Sequence, residues 1–139
     1  MNFHEGVTAR LLRSDPVTAI AGQRLSWGLR PQGEPLPGLT LQVVSDPRPS
    51  HLKGPDGARY TRLQADCWGE TAAQALALAK AVIETLQPPT TIDGKKFGAG
   101  RVDAQRDLGE SVGSGNASQS SGTYIHRQSV DFIIRHVGD

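Results

Sequence analysis

The sequence predicts an α+β fold: a mostly antiparallel sheet with two helices packed on one face, in the order α-β-β-β-α-β-β. Three observations carry this expectation. Apolar residues recur at helical spacing in two separate stretches, one near the start and one following Thr71. Segments that alternate apolar and polar residues lie between and after them. The strands succeed one another like hairpins, and only one helix interrupts them.

Residues Phe3 to Ser14 form the first predicted helix, with Phe3, Val7, Leu11 and Leu12 making its stripe. Asp15-Pro16 ends it, because a residue before proline is pushed out of the α region. "VTAIAG" adds a short helical turn before Gly22. A first strand is expected over Arg24 to Arg30, followed by the Pro/Gly loop "PQGEPLPG". Leu39, Leu41 and Val43 mark a second strand that ends at "SDPRPS", and "HLKGPDGA" reads as an exposed turn.

The third strand runs from Arg59 to Trp68, with Leu63, Ala65 and Cys67 on one face and Arg62, Gln64, Asp66 and Trp68 on the other. The second helix starts at "ETAAQ", where Thr71 and Gln74 have capping-box spacing. Leu76, Ala79, Ile83 and Leu86 are its expected core stripe, with Ala75 and Val82 beside them, and Pro88-Pro89 stops it. A fourth strand covers Lys95 to Arg106, weakened by Gly98 and Gly100. The Gly/Ser-rich segment from about 109 to 122 is expected to be a mobile loop. A last strand, Thr123 to His136, turns Val130, Phe132 and Ile134 inward.

Composition narrows the function. The chain has 139 residues, which fits one domain over 1–139. Its net charge of +1 argues against bulk electrostatic binding to nucleic acid. A single cysteine rules out an intrachain disulfide. The opening residues form no signal-peptide core, and no apolar run is long enough to span a bilayer, so a cytoplasmic origin without a membrane partner is expected.

Cys67 and Trp68 look at first like a reactive pair. Cys67, however, shares its strand face with Leu63 and Ala65, where a thiol behaves as a small buried hydrophobe. No histidine is placed beside it to lower its pKa. Trp68 sits on the polar face, either under a loop or in a subunit contact, where Trp and Arg are enriched. His126, Ser129 and Asp131 have the letters of a hydrolase triad, but His126 faces opposite to the other two. "GSGNASQSSG" lacks the Lys-Ser/Thr ending of a phosphate loop. The histidines have no metal-ligand spacing, so no catalytic, cofactor or metal residue is assigned. Lys95, Lys96 and Arg101 cluster in "KKFGAGR", as a solvated hairpin or as a contact with an acidic partner surface.

Three segments, taken in order, resemble a known family. "LLRSDPVTAIAGQRLSWGLRPQGEPLPGLTLQVVS", "TRLQADCWGETAAQALALAKAV" and "HRQSVDFIIRH" resemble the tail completion, or tail terminator, proteins of long-tailed bacteriophages, prophages and gene transfer particles. The "PQG…LP" loop, the "QADCWGET" strand-to-helix junction and the closing "SVDF" strand are the most specific pieces. The long Gly/Ser loop and a second strand short of aromatics depart from the family pattern. The resemblance implies a small α+β subunit of the virion, made in the host cytoplasm and needing no cofactor. It implies a hexameric ring of copies of itself at the head-proximal end of the tail tube, ending tail growth and meeting the tail tube protein and the head connector. DNA enters only as cargo passing through the ring. A head-side connector or tail-tube role is the alternative, and a small hydrolase is disfavoured. The expected subunit interface is Arg62 with Trp68 as one patch and Lys95, Lys96 and Arg101 in another. The expected core includes Leu63, Ala65, Cys67, Leu76, Ala79, Ile83 and Phe132.

Overall fold

The computed structural model describes residues 1–48, 50–51, 54–55, 57–111 and 124–138. Helix α1 spans Phe3–Leu12 and opens with a reciprocal cap. The Glu5 amide donates to Asn2 Oδ1 at 2.8 Å, and the Asn2 amide donates to Glu5 Oε1 at 3.1 Å. Helix α1 stops at Leu12, short of the expected Ser14, and the residue before proline is not pushed out of the α region: Ser14 is the extended residue, with ψ of 116°, and Asp15-Pro16 starts a second helix, α2, over Asp15–Ala21. Proline is tolerated in a first turn, where its missing N–H has no helical acceptor.

The strands are β1 (Leu25–Trp27), β2 (Gly38–Ser45), β3 (Ser50–His51), β4 (Gly54–Pro55) and β5 (Ala58–Gly69). Helix α3 (Ala72–Leu86) follows, then β6 (Thr90–Ile92), β7 (Lys95–Ser111) and β8 (Tyr124–Val137). Six strands make the main sheet, in the order β1-β2-β5-β8-β7-β6, and β3 and β4 form a separate ribbon.

The fold is α+β, but the expected mostly antiparallel sheet and element order need correction. The sheet is mixed, because β1 runs parallel to β2 while the other described neighbours are antiparallel. The cause is the Pro/Gly loop over residues 28–37. Instead of making a hairpin it returns to the start of β1, where the Leu39 amide donates to the Arg24 carbonyl at 2.9 Å. Among the described residues there are three helices where two were expected, and β6 was not expected at all. Asp93-Gly94, with φ of 48° and 83°, makes the tight β6–β7 turn, a dipeptide suited to two successive positive φ values. Of the expected Gly/Ser loop, residues 109–111 continue β7, and 112–122 lie outside the described residues.

The core lies between the helices and one sheet face. Directly paired residues share that face: Leu39 with Cys67, Leu41 with Ala65, Ala65 with Val130 and Leu63 with Phe132. All are buried against Phe3, Val7 and Leu11 of α1, Val17 and Ala21 of α2, and α3. Each fully buried Leu or Val contributes roughly 1.5–3 kcal/mol relative to exposure. The buried stripe of α3 is Ala75, Leu78, Ala79, Val82 and Leu86. Leu76, expected in the core, is 48% exposed, because it is rotated about 100° from Ala75 and faces out. Ile83 is only partly buried at the rim. Thr71 caps α3 by accepting from the Gln74 amide at 3.1 Å, while Gln74 Oε1 accepts from the Glu70 amide and not from Thr71.

Gly98 and Gly100 were expected to weaken β7. Gly100 instead lets β7 approach the end of α3: a Cβ there would sit 2.4 Å from the Leu86 carbonyl oxygen. The Gly100 amide donates to the Gln87 carbonyl at 2.9 Å, satisfying one acceptor at the helix end.

Candidate assembly surface

The other face of the sheet carries polar and charged side chains with period two. On β5 these are Arg62, Gln64, Asp66 and Trp68, paired across to Ile133, Asp131, Ser129 and Arg127 of β8. Opposite charges meet across the strands. Arg62 Nη1 donates to Asp103 Oδ2 at 2.7 Å, and Arg101 Nη1 to Asp103 Oδ1 at 3.3 Å. Arg106 donates to both oxygens of Asp131, at 3.2 and 3.4 Å. Arg127 lies 3.6 Å from Asp66, whose carboxylate also accepts from Gln64 Nε2 at 3.2 and 3.3 Å. The hydrogen bond from Arg62 holds the Asp103 carboxyl below the usual carboxylate range. Pairs this exposed add little stability individually, but they fix which charges the face presents.

Trp68 closes one end of this face. It is 7% exposed and donates from Nε1 to Thr40 Oγ1 at 3.2 Å. The guanidinium carbons of Arg30 and Arg127 lie 5.2 and 5.0 Å from its ring centroids. Arg30 belongs to the 28–37 loop, so of the two placements open to this tryptophan, burial under a loop is the one seen within the subunit. A hollow of about 370 Å³ lies beside it, with Gln42, Gln64 and Asp66 in its wall. Arg62 and Trp68 are six residues apart on one strand, about 20 Å, and do not touch each other.

Arg62 and Arg101, assigned to different patches from sequence, are brought together on Asp103. Lys96 is exposed, whereas Lys95 is only 5% exposed. Lys95 Nζ donates to His136 Nδ1 at 3.0 Å and to the Val137 carbonyl at 2.7 Å, so it is part of the interior and not of a surface cluster. Sequence reasoning missed Asp103, Arg106, Arg127 and the pairing of Asp131. The alternation of charge in "RVDAQRD" was the available signal.

Among the described residues the sheet is open at both sides. Strand β6 covers β7 only over residues 95–97 and the Gln87 carbonyl holds the Gly100 amide, which leaves 101–111 without a partner on that side among the described residues. At the opposite side, β1 covers β2 only at Leu39, Thr40 and Leu41. Unpaired strand edges are templates for another chain. Two register shifts, between Phe97 and Gly100 and between Val102 and Ala104, shape the β7 edge.

The triad letters do not assemble into a relay. Asp131 is held by Arg106, Ser129 Oγ is buried without a partner among the described residues, and His126 stacks edge-on with Tyr124. Cys67 is fully buried, and burial, reinforced by Asp66, pushes its pKa far up. Among the described residues no group of three or more His, Cys, Asp or Glu side chains is placed to hold a metal ion. No helix there is long and apolar enough to cross a membrane.

A family model of phage tail proteins matches residues 5–120, most of the chain, and the chain is accordingly a structural protein of the phage tail. More narrowly, that family is described as Tail completion protein gp17, and the chain belongs to it. Among solved structures, it is similar in fold to a chain from the "Virion of native gene transfer agent (GTA) particle". The TM-score is 0.61 and the identity 18%, over 95% of this chain and 92% of that one. A search of curated proteins finds no sequence match.

Proposed function

We propose that the protein caps the head-proximal end of the tail tube as a hexameric ring, ends tail growth and joins the tail to the head connector. DNA passes through the ring as cargo, and no reaction is catalysed. The observation that carries the reading is the side of β7 left open over residues 101–111, facing away from a sheet whose opposite side is also open among the described residues. A closed ring of identical subunits needs two different patches that meet heterologously, and the two sheet sides supply such a pair. Arg101 and Lys96 lie at or near the β7 side, and Arg62 reaches the same place through Asp103. Trp68 and Lys95 act inside the subunit in this reading, as supports of the surface and not as its contacts.

The test uses Lys96→Glu with Arg101→Glu, both at exposed positions. The doubly substituted chain should fold, yet fail to form rings by electron microscopy, and particles carrying it should have tails of uncontrolled length or tails detached from heads. Tails of normal length, firmly joined to filled heads, in particles lacking the protein altogether would overturn the terminator role. Rings that form normally with both charges reversed would overturn only the assigned contact.

A further inference from the structure

A second site lies away from the charged sheet face, where the ends of α1 and α3 meet β6. Arg10 of α1 is 6% exposed there. Its Nη2 donates to the Thr85 and Pro88 carbonyls at 2.7 and 2.8 Å, so it caps the end of α3. Its guanidinium carbon lies 5.0 Å from the Phe97 ring centroid. These partners are neutral. No carboxylate pairs with Arg10 among the described residues, and its Nη1 is buried with no hydrogen-bond partner there. Burial lowers its pKa to about 10, so it stays charged at neutral pH. A buried cation left without an anion is costly, and the planar fork of Arg favours an oxyanion.

A hollow of about 350 Å³ opens beside it. Its wall includes Arg10, Arg13, Ser14, Thr85, Thr90 and Thr91, and no acidic side chain. Arg13 is already held by Asp93 at 2.8 Å, which leaves Arg10, among the described residues, as the cation of the wall without a carboxylate partner. We propose that this hollow binds a carboxylate, with the Arg10 guanidinium as its cationic floor and the Thr90 and Thr91 hydroxyls as donors, since the Thr85 hydroxyl already donates to the Ala81 carbonyl and that of Ser14 to Thr85. The carboxylate comes either from an Asp or Glu side chain of a neighbouring protein or from a small free acid. The site is independent of the ring reading and stands or falls separately from it.

The probe is acetate, compared with chloride at equal ionic strength and pH 7, read as the thermal unfolding midpoint of the full chain. Acetate should raise the midpoint in a saturable way. Thr91→Glu, which places a carboxylate at the wall without touching Arg10, should raise the midpoint in chloride and reduce the acetate response at least about tenfold in apparent affinity, the equivalent of 1.4 kcal/mol. Thr91→Gln, of similar size, should keep the response. Loss of the response in the assembled protein assigns the carboxylate to a neighbour; its persistence assigns it to a free acid. If acetate does no more than chloride, or if Thr91→Glu behaves like Thr91→Gln, the site does not exist.

Discussion

Acid should unfold this protein through His136, and the size of the effect follows from a buried chain of hydrogen bonds. His136 is fully buried on the core face of β8. Lys95 can only donate, so its 3.0 Å contact makes His136 Nδ1 the acceptor and leaves the ring proton on Nε2. That nitrogen meets Thr61 Oγ1 at 2.6 Å, and Thr61 in turn donates to Asp46 at 2.9 Å. Asp46 is also paired with Arg59. Burial, then the charges of Lys95 and Arg59 and, less, of Arg48, lower the His136 pKa to about 4, against an upward pull from Asp46 alone. In the unfolded chain a histidine titrates near 6.5. Between these values the unfolded state binds the extra proton, so stability is complete above about pH 6.5 and falls as the pH drops toward 4. The loss is about 2 kcal/mol at pH 5 and about 3 kcal/mol at pH 4. Urea unfolding at several pH values, for the natural chain and for His136→Gln, separates this term from the carboxylates that both chains share. The natural chain should lose about 3 kcal/mol more than the variant between pH 7 and pH 4. Parallel stability curves for the two chains would refute the assignment.

Other consequences are equally direct. Cys67→Ala should cost about 1–2 kcal/mol in urea unfolding, and native Cys67 should resist thiol reagents on a timescale at which unfolded chain is labelled at once. Gly100→Ala should destabilise by about 1–3 kcal/mol, because the added methyl meets the Leu86 carbonyl; an unchanged midpoint would mean that β7 and α3 do not approach as closely as described. Leu78→Ala should cost about 2–5 kcal/mol while Leu76→Gln stays within about 0.5, and a reversed ranking would put the α3 stripe back where the sequence suggested.

Sequence legibility followed local chemistry. The central strand β5 was readable because Leu63, Ala65 and Cys67 alternate strictly with polar residues. The start of α3 was readable from Thr71, whose hydroxyl serves the backbone directly. The phase of α3 was not, because "ALALAKAVI" is apolar nearly all round and alanine does not distinguish a core face from a solvent face. Leu76 was misplaced for that reason. The parallel β1 escaped because the path of the 28–37 loop is set by distant anchors, such as Arg30 against Trp68, and not by its own prolines. At the surface, single charges were visible but their partners were not. Arg62 and Asp103 lie on strands that meet only through β8, and Lys95 looked like a surface cation until His136 supplied a buried acceptor.

The strand order also governs when the molecule can exist. β8, the last strand in sequence, lies between β5 and β7 in the middle of the sheet. Until residues 124–137 have left the ribosome, β5 lacks a neighbour on one side and β7 lacks its long partner. Pairings this distant in sequence are slow to form. Folding of this sheet is therefore held back until residues 124–137 have been made, and a chain broken off before Tyr124 has no central strand around which to finish. Such fragments lack the strand that holds β5 and β7 together, so the topology makes a subunit that is either whole in its sheet or has no sheet to offer.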